Sequence, residues 1–279
     1  MEKLVDKKIG FIGGGKMAEA IFSGLIAAGA VPAENIIVSD ISLERLGDMS
    51  KQYGIRVIVS DPSSNSGVIE IAKQCDIVFM AVKPQFARLV MQALGNALTE
   101  NQLVISIVGG LSIRQIAEHI TIPTIRVMPN TPMAVQAGVA GIAAGVKCSE
   151  VHMALAFDIF GLLGKAFMMP EHLMDALTGI SGCGPAYAYM FIEALADGAV
   201  KCGLPRDLSY QLAAQTLLGS AKMVLESGNH PAKLKDDVCS PGGATIAGVH
   251  TLEQGGFRGC VIDAVQAGVD RMIEVGKKA

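Results

Sequence analysis

The chain is poor in charge, in basic clusters and in paired metal ligands, and each shortage removes a class of function. Charged residues make up 18% of its 279 positions, and 23 Lys and Arg against 26 Asp and Glu leave a formal charge of −3. Lys and Arg do not cluster, so no basic field is present to attract a nucleic acid. No apolar run approaches the roughly 18 residues of a membrane span, because glycine, proline or charge interrupts each one. Lys3, Lys7 and Lys8 precede the run Ile9–Ile12, which is too short for a signal-peptide core. The five histidines, at 119, 152, 172, 230 and 250, form no pair at metal-ligand spacing, so no metal site is expected. Six cysteines stand singly at 75, 148, 183, 202, 239 and 260, with no Cys-x-x-Cys. That pattern is expected of reduced, buried thiols in a cytoplasmic protein.

What is abundant is apolar: 51% of residues are hydrophobic, enough to bury a large core and a subunit interface besides. The length suggests two domains. Through the first half, the runs Ile9–Ile12, Ile36–Ser39, Ile77–Val82, Leu103–Val108, Thr124–Met128 and Val139–Ala143 alternate with helical segments. Near-continuous Val/Ile runs of this kind predict an α/β domain around a parallel sheet covered on both faces. After about Phe167 the segments Leu173–Thr178, Pro185–Cys202, Leu208–Ser227 and Gly259–Val275 read as helices, with no strand among them. The boundary is therefore placed at 165, with 1–165 as the α/β domain and 166–279 as an all-α domain. The helix from Pro185 has Tyr187, Phe191, Ala194, Leu195 and Val200 on one face and mostly Ala and Gly elsewhere, which predicts burial at a subunit interface. Glu193 and Asp197, four apart on that helix, read as solvated or interface charges rather than as a catalytic pair.

Two glycine-rich stretches point to ligands. The strand Ile9–Ile12 runs into Gly13-Gly14-Gly15-Lys16-Met17-Ala18, and a helix follows. In this pattern Gly13 makes a tight turn, Gly15 lets a pyrophosphate approach the backbone, and Ala18 allows close helix–strand packing. Asp40 ends the next strand, where a carboxylate receives ribose hydroxyls. The sequence thus predicts a dinucleotide-binding domain. Near the other end, Ser240-Pro241-Gly242-Gly243-Ala244-Thr245 precedes an apolar-periodic segment. Ser240 is expected to cap that helix and Pro241 to start it, leaving the N–H groups beyond Gly242 as a receptor for a small carboxylate. Thr245 adds a hydroxyl within reach of whatever the carboxylate anchors.

Together with Ala81-Val82-Lys83-Pro84-Gln85, Arg126-Val-Met-Pro-Asn-Thr-Pro132 and Ser181-Gly-Cys-Gly-Pro-Ala-Tyr187, these blocks resemble the pyrroline-5-carboxylate reductase family over essentially the whole chain. The resemblance implies an N-terminal Rossmann-type dinucleotide-binding domain and a C-terminal all-α dimerisation domain. The implied reaction is reduction of 1-pyrroline-5-carboxylate to L-proline, with NADPH or NADH as cofactor. It implies a homodimer or a larger ring of dimers, with neither nucleic acid nor membrane as partner. Residue by residue, it assigns Gly13, Gly15, Lys16 and Met17 to the pyrophosphate, Ile12 and Gly14 to the cofactor beside them, and Asn65 to the adenosine ribose. It assigns Ala81, Val82, Lys83, Pro84 and Asn130 to the nicotinamide ribose, and Ile107, Val108 and Gly109 to the nicotinamide. The substrate falls to Ser240, Gly242, Gly243, Ala244 and Thr245, its carboxylate on the N–H groups of Gly243, Ala244 and Thr245 and its ring nitrogen on the Thr245 hydroxyl, the catalytic group. Two departures from the family pattern are Cys183, where a serine is usual, and a longer stretch around Asn65. Two other readings stay open at this point: a related two-domain hydroxy-acid reductase, and a retired family member serving as a regulatory NAD(P)-binding module.

Overall fold

The computed structural model describes residues 2–277. They form two compact units, one of residues up to Gly182 together with those from Ala267 on, the other Cys183–Gln266. In the first unit α1 (Glu2–Val5), β1 (Ile9–Ile12), α2 (Lys16–Ala27), β2 (Ile36–Asp40), α3 (Leu43–Tyr53), β3 (Arg56–Val59) and α4 (Ser66–Gln74) lead to β4 (Ile77–Met80). There follow α5 (Pro84–Gly95), β5 (Leu103–Ser106), α6 (Ile113–Ala117), β6 (Thr124–Pro129), β7 (Gly138–Ala144), α7 (Glu150–Gly161), β8 (Gly164–Met168) and α8 (Met174–Leu177). The sheet has eight strands in the order β3-β2-β1-β4-β5-β6-β7-β8. Its first six strands have the order of a dinucleotide-binding fold, reversing direction of growth between β1 and β4.

The apolar runs become interior strands because both faces are covered. Along β1, β4 and β5, residues alternate between two cores. Phe11 and Phe79, stacked at 4.6 Å, face the side of Ile21, Phe22 and Phe160, on α2 and α7. Ile12, Val78, Met80 and Val104 face Ile71, Val90 and Leu94, on α4 and α5. Gly10 is required by the approach of α4, because a Cβ there would lie 2.4 Å from the Ile71 side chain.

Two strands escaped the sequence reading, and one ran the unexpected way. β3 and β8 form the sheet edges, and their half-exposed residues give no continuous apolar run. β7 pairs antiparallel to β6 rather than parallel. The connection through residues 130–137 is a short 3-10 turn, too brief for the crossover that a parallel return needs. β8 then returns parallel to β7. Three ties bind the stretch beyond 165 to the first unit: the β7–β8 ladder, a buried Arg126 paired with Glu171 at 2.9 Å, and Asn130 bonded to the Ser181 carbonyl.

The second unit holds α9 (Gly184–Lys201), α10 (Arg206–Ser227), α11 (Pro231–Asp237), α12 (Ala244–Gln254) and the start of α13 (Phe257–Gly276). Within it only Ala196, Ser209 and Ala213 are buried, while Met190, Leu218, Leu225 and Ile262 are each more than 60% exposed. Asp197 is ion-paired with Arg206, which also lies over the Tyr210 ring, as a structural charge would be. Among the described residues no helix is long and apolar enough to cross a membrane, and no group of three metal-capable side chains gathers. All six cysteines are free.

Candidate functional site

The glycine turn after β1 is built by backbone geometry that only glycine supplies. Gly13 has φ +99°, and a Cβ on it would sit 2.6 Å from the Ala81 carbonyl oxygen, where β4 ends beside β1. Gly15 caps α2 in an extended conformation without any side-chain bond, and a Cβ there would meet nothing within 4 Å. The first N–H groups of α2 therefore open onto free space at the positive end of a helix. The Lys16 side chain is 81% exposed beside them. The Met17 side chain packs against the core instead, so toward the loop it offers backbone only. The Gly14 N–H donates to Asp40 Oδ2 at 2.7 Å, and the Ser42 N–H donates to Oδ1 at 3.0 Å. Asp40 thus ties the glycine loop to the end of β2 and keeps further lone pairs for a hydroxyl ligand.

A cleft of about 340 Å³ opens at the carboxyl ends of β1, β2 and β4, where a doubly wound sheet binds its ligand. Of the expected residues, Ile12, Gly13, Gly15, Asp40, Asn65, Ala81, Val82 and Lys83 line it. Asn65 stands at the start of α4 with φ +51°, a conformation asparagine tolerates, and its side chain makes no capping bond. Pro84 is the first residue of α5, and Lys83 precedes it without a side-chain cap. Sequence reasoning missed Ser39, Ile41, Ser60, Phe86 and Leu89, which share the cleft. Phe86 and Leu89 had a readable signal, because they are apolar on the face of α5 opposite its buried stripe of Ala87, Met91 and Leu94. The Ser39 hydroxyl is buried without a hydrogen-bond partner. Apolar walls and a carboxylate at one end suit a nucleoside.

The remaining nicotinamide-side residues lie elsewhere in the first unit. Ile107 and Val108 are buried beyond the end of β5, and Gly109 faces Met272 near the end of α13. Asn130 is buried and committed at both ends: its Nδ2 donates to the Ser181 carbonyl at 3.0 Å, and its Oδ1 accepts from the Val139 N–H at 2.8 Å. In this structure it acts as a clamp between β7 and the 178–182 turn.

In the second unit, the Ser240–Thr245 block corrects the expected helix start. Ser240 does not cap the helix, and Pro241 does not begin it. The Gly243 N–H donates to the Ser240 carbonyl at 3.0 Å, with Gly242 at φ +67°. Pro-Gly at the two central positions closes a reverse turn, and Gly242 needs the left-handed region that glycine permits. α12 starts only at Ala244, capped by Gly243 without a side-chain bond. The Gly243 N–H is thus used by the turn, and the uncovered N–H groups are those of Ala244, Thr245 and Ile246. Gly242, Ala244 and Thr245 are exposed, as is Ser240. In the same unit, Tyr187 on α9 donates to the Ala264 carbonyl at 3.0 Å, and burial and then Cys183 push its phenol above the ordinary value.

Comparison with known proteins bears on both units. Residues 171–275 match the model for pyrroline-5-carboxylate reductase dimerisation, and residues 8–110 match that for coenzyme F420-dependent NADP oxidoreductases. The chain is 44% identical to the pyrroline-5-carboxylate reductase of Methanosarcina acetivorans, over 98% of this chain and 99% of that one. It is 41% identical to that of Arabidopsis thaliana, over 97% and 96%. The crystal structure of the Plasmodium falciparum pyrroline carboxylate reductase with NADP bound superposes with a TM-score of 0.88 at 35% identity, covering 98% of this chain and 99% of that chain. With the glycine turn, the eight-stranded sheet and the coreless helical unit, these likenesses span the whole chain, which belongs to the pyrroline-5-carboxylate reductase family.

Proposed function

We propose that the protein reduces the cyclic imine of 1-pyrroline-5-carboxylate to L-proline, using NADPH or NADH. The observation that carries this reading is the 44% identity over 98% of the chain to a reductase of that name, which takes in both glycine-rich stretches. A hydroxy-acid reductase would share the first unit, but residues 171–275 match the pyrroline-5-carboxylate reductase dimerisation model.

The cleft fits the cofactor. The space left by Gly15 admits a pyrophosphate against the start of α2, with Gly13, Gly14 and Lys16 around it. Asp40, Asn65, Ile41, Phe86 and Leu89 line the same cleft, and their chemistry suits the adenosine ribose for the first two and the adenine for the other three. Ala81–Pro84 and Ile107–Gly109 serve the nicotinamide end, where Asn130 holds the surrounding backbone. When bound, the reduced nicotinamide supplies the hydride for the imine carbon. The protein has to bind a carboxylate, orient a ring and manage one proton.

In the helical unit, the N–H groups of Ala244, Thr245 and Ile246 receive the substrate carboxylate at the positive end of α12. The Thr245 hydroxyl bonds the ring nitrogen and orients it. A threonine hydroxyl is a poor acid, so the proton on nitrogen arrives with the protonated imine or from water, and Thr245 steers rather than donates it. Both cofactors are accepted, and Asp40 at the ribose makes NADH at least as good as NADPH. The free cysteines suit a reducing, cytoplasmic setting. The test is loss of reduced-nicotinamide absorbance on adding 1-pyrroline-5-carboxylate, with L-proline identified as product. Oxidation with a 2-keto acid and none with the imine would refute the assignment.

A further inference from the structure

We propose that Glu19 sets the cofactor preference of this chain by holding Arg45 away from the ribose end of the cleft. The proposal rests on reading that cleft as the NAD(P)H site, and it concerns Arg45, the arginine on the first turn of the helix that follows Asp40.

Asp40 is fixed. Its two oxygens accept from the Gly14 and Ser42 N–H groups, so the carboxylate cannot swing aside for a second anion. A bound 2′-phosphate would need a cation to offset it. Arg45 is the candidate by position, on the first turn of α3, with its N–H bonded to the capping Ser42 hydroxyl at 3.3 Å. Its guanidinium, however, points away from the cleft. Arg45 Nε donates to the Gly14 carbonyl, and Nη2 donates to Glu19 Oε2 at 3.0 Å. Arg45 accordingly lines a separate depression with Lys16, Glu19, Ser42 and Met49, and is not among the residues lining the cleft of Asp40.

Glu19 is well placed to hold it. The residue sits on the first turn of α2 with its side chain only 20% exposed, and Tyr53 Oη donates to its other oxygen at 3.2 Å. Arg45 and Tyr53 hold Glu19 from the two ends of α3, and the exposed Lys16 ammonium lies 3.5 Å from the oxygen that Arg45 uses. Gly14 connects the arrangement, because its N–H holds Asp40 while its carbonyl holds Arg45. Release of the guanidinium from Glu19 leaves it beside a residue already bonded to Asp40. From there it can pair with a 2′-phosphate or neutralise Asp40, and both favour NADPH.

The experiment measures NAD⁺ and NADP⁺ binding to the full chain by calorimetry, so that no activity is needed. The unmodified protein is compared with Glu19→Ala, Glu19→Gln, Tyr53→Phe and the double variant Glu19→Ala/Arg45→Ala. Glu19→Ala should raise NADP⁺ affinity relative to NAD⁺ by about tenfold, the worth of one charge-assisted arginine–phosphate contact. Glu19→Gln, which keeps the shape, should shift the ratio the same way by less. The double variant should lose the gain, and Tyr53→Phe, which loosens Glu19 without removing its charge, should shift the ratio the same way by less than Glu19→Ala. An unchanged ratio in both Glu19 variants overturns the proposal, as does a gain that survives in the double variant. If neither nucleotide binds the unmodified chain, the reading of the cleft itself fails, and the role of Glu19 falls with it.

Discussion

Replacing Asn130 by alanine separates a clamp from a ligand, because the structure states what the side chain holds. Its amide satisfies a Val139 N–H and a Ser181 carbonyl, and the residue is 6% exposed. Alanine leaves one buried donor and one buried acceptor without partners, at about 1–3 kcal/mol each. The two losses sum to roughly 2–6 kcal/mol. For a unit of this size that corresponds to a melting temperature lower by roughly 4–24 °C, measured by calorimetry or circular dichroism at fixed protein concentration. Asn130→Asp is the sharper variant. A carboxylate keeps the Val139 bond but faces the Ser181 carbonyl without a proton to give, which raises its folded-state pKa. A group with a raised folded pKa stabilises the fold while protonated and loses that stability as pH rises through it. The aspartate variant should therefore approach the unmodified protein's stability near pH 4 and fall below it at pH 7. An Asn130→Ala protein with unchanged melting temperature but much weaker cofactor binding would refute the clamp.

Three further outcomes follow from the same geometry. Thr245→Ala should lower kcat by roughly ten- to a thousandfold with cofactor binding nearly unchanged, read by steady-state kinetics and calorimetry; unchanged turnover would remove Thr245 from the reaction. Light scattering should find at least a dimer, since within residues 183–266 only Ala196, Ser209 and Ala213 are buried and large apolar side chains such as Met190, Leu218 and Leu225 stay more than 60% exposed; a stable, active monomer would contradict this. Burial pushes the Cys75 thiol up from 9.0 to about 12, so the folded state keeps a proton that the unfolded chain releases. Stability should be indifferent to this group below pH 9 and then fall by at most about 1.4 kcal/mol per pH unit, a slope that Cys75→Ala removes from a denaturation series.

The parts of the fold that were legible in the sequence are those whose cause is local. Gly13, Gly15 and Ala18 follow an apolar run, and that turn admits few other residues, so β1, α2 and the end of β2 at Asp40 could be placed by reading along the chain. The strands β3 and β8 were not legible because edge strands need no apolar run; their pairing comes from β2 and β7. Arg126 and Glu171 are far apart in sequence, so the tie that draws the stretch beyond 165 into the first unit leaves no local trace. The start of α12 was misplaced for a different reason. Ser-Pro is a fair helix opening by propensity, but Gly-Gly after it permits a reverse turn that takes the Gly243 N–H first. In the cleft the residues of the glycine turn and of the 81–83 motif were legible, whereas Ser39 and Ser60 carry no local signal and Phe86 and Leu89 read as surface until the neighbouring strand ends are known. Asn130 was found by its motif, while its hydrogen-bond partners could be found only in three dimensions.

The near absence of buried residues in the helical unit bears on how the protein is made and lost. The first unit contains its own core up to Gly182, apart from the final turns of α13, so it can begin to collapse while the rest is still being synthesised. In the dimer predicted above, the helices that follow gain their burial from another copy of the chain, so their folding would be second order in concentration and slow as expression falls. A newly made subunit therefore waits with Met190, Leu218 and Leu225 open to water, as a substrate for chaperones and proteases until it meets its pair. Abundance is consequently self-reinforcing: halving synthesis lengthens the vulnerable interval and reduces the assembled protein by more than half.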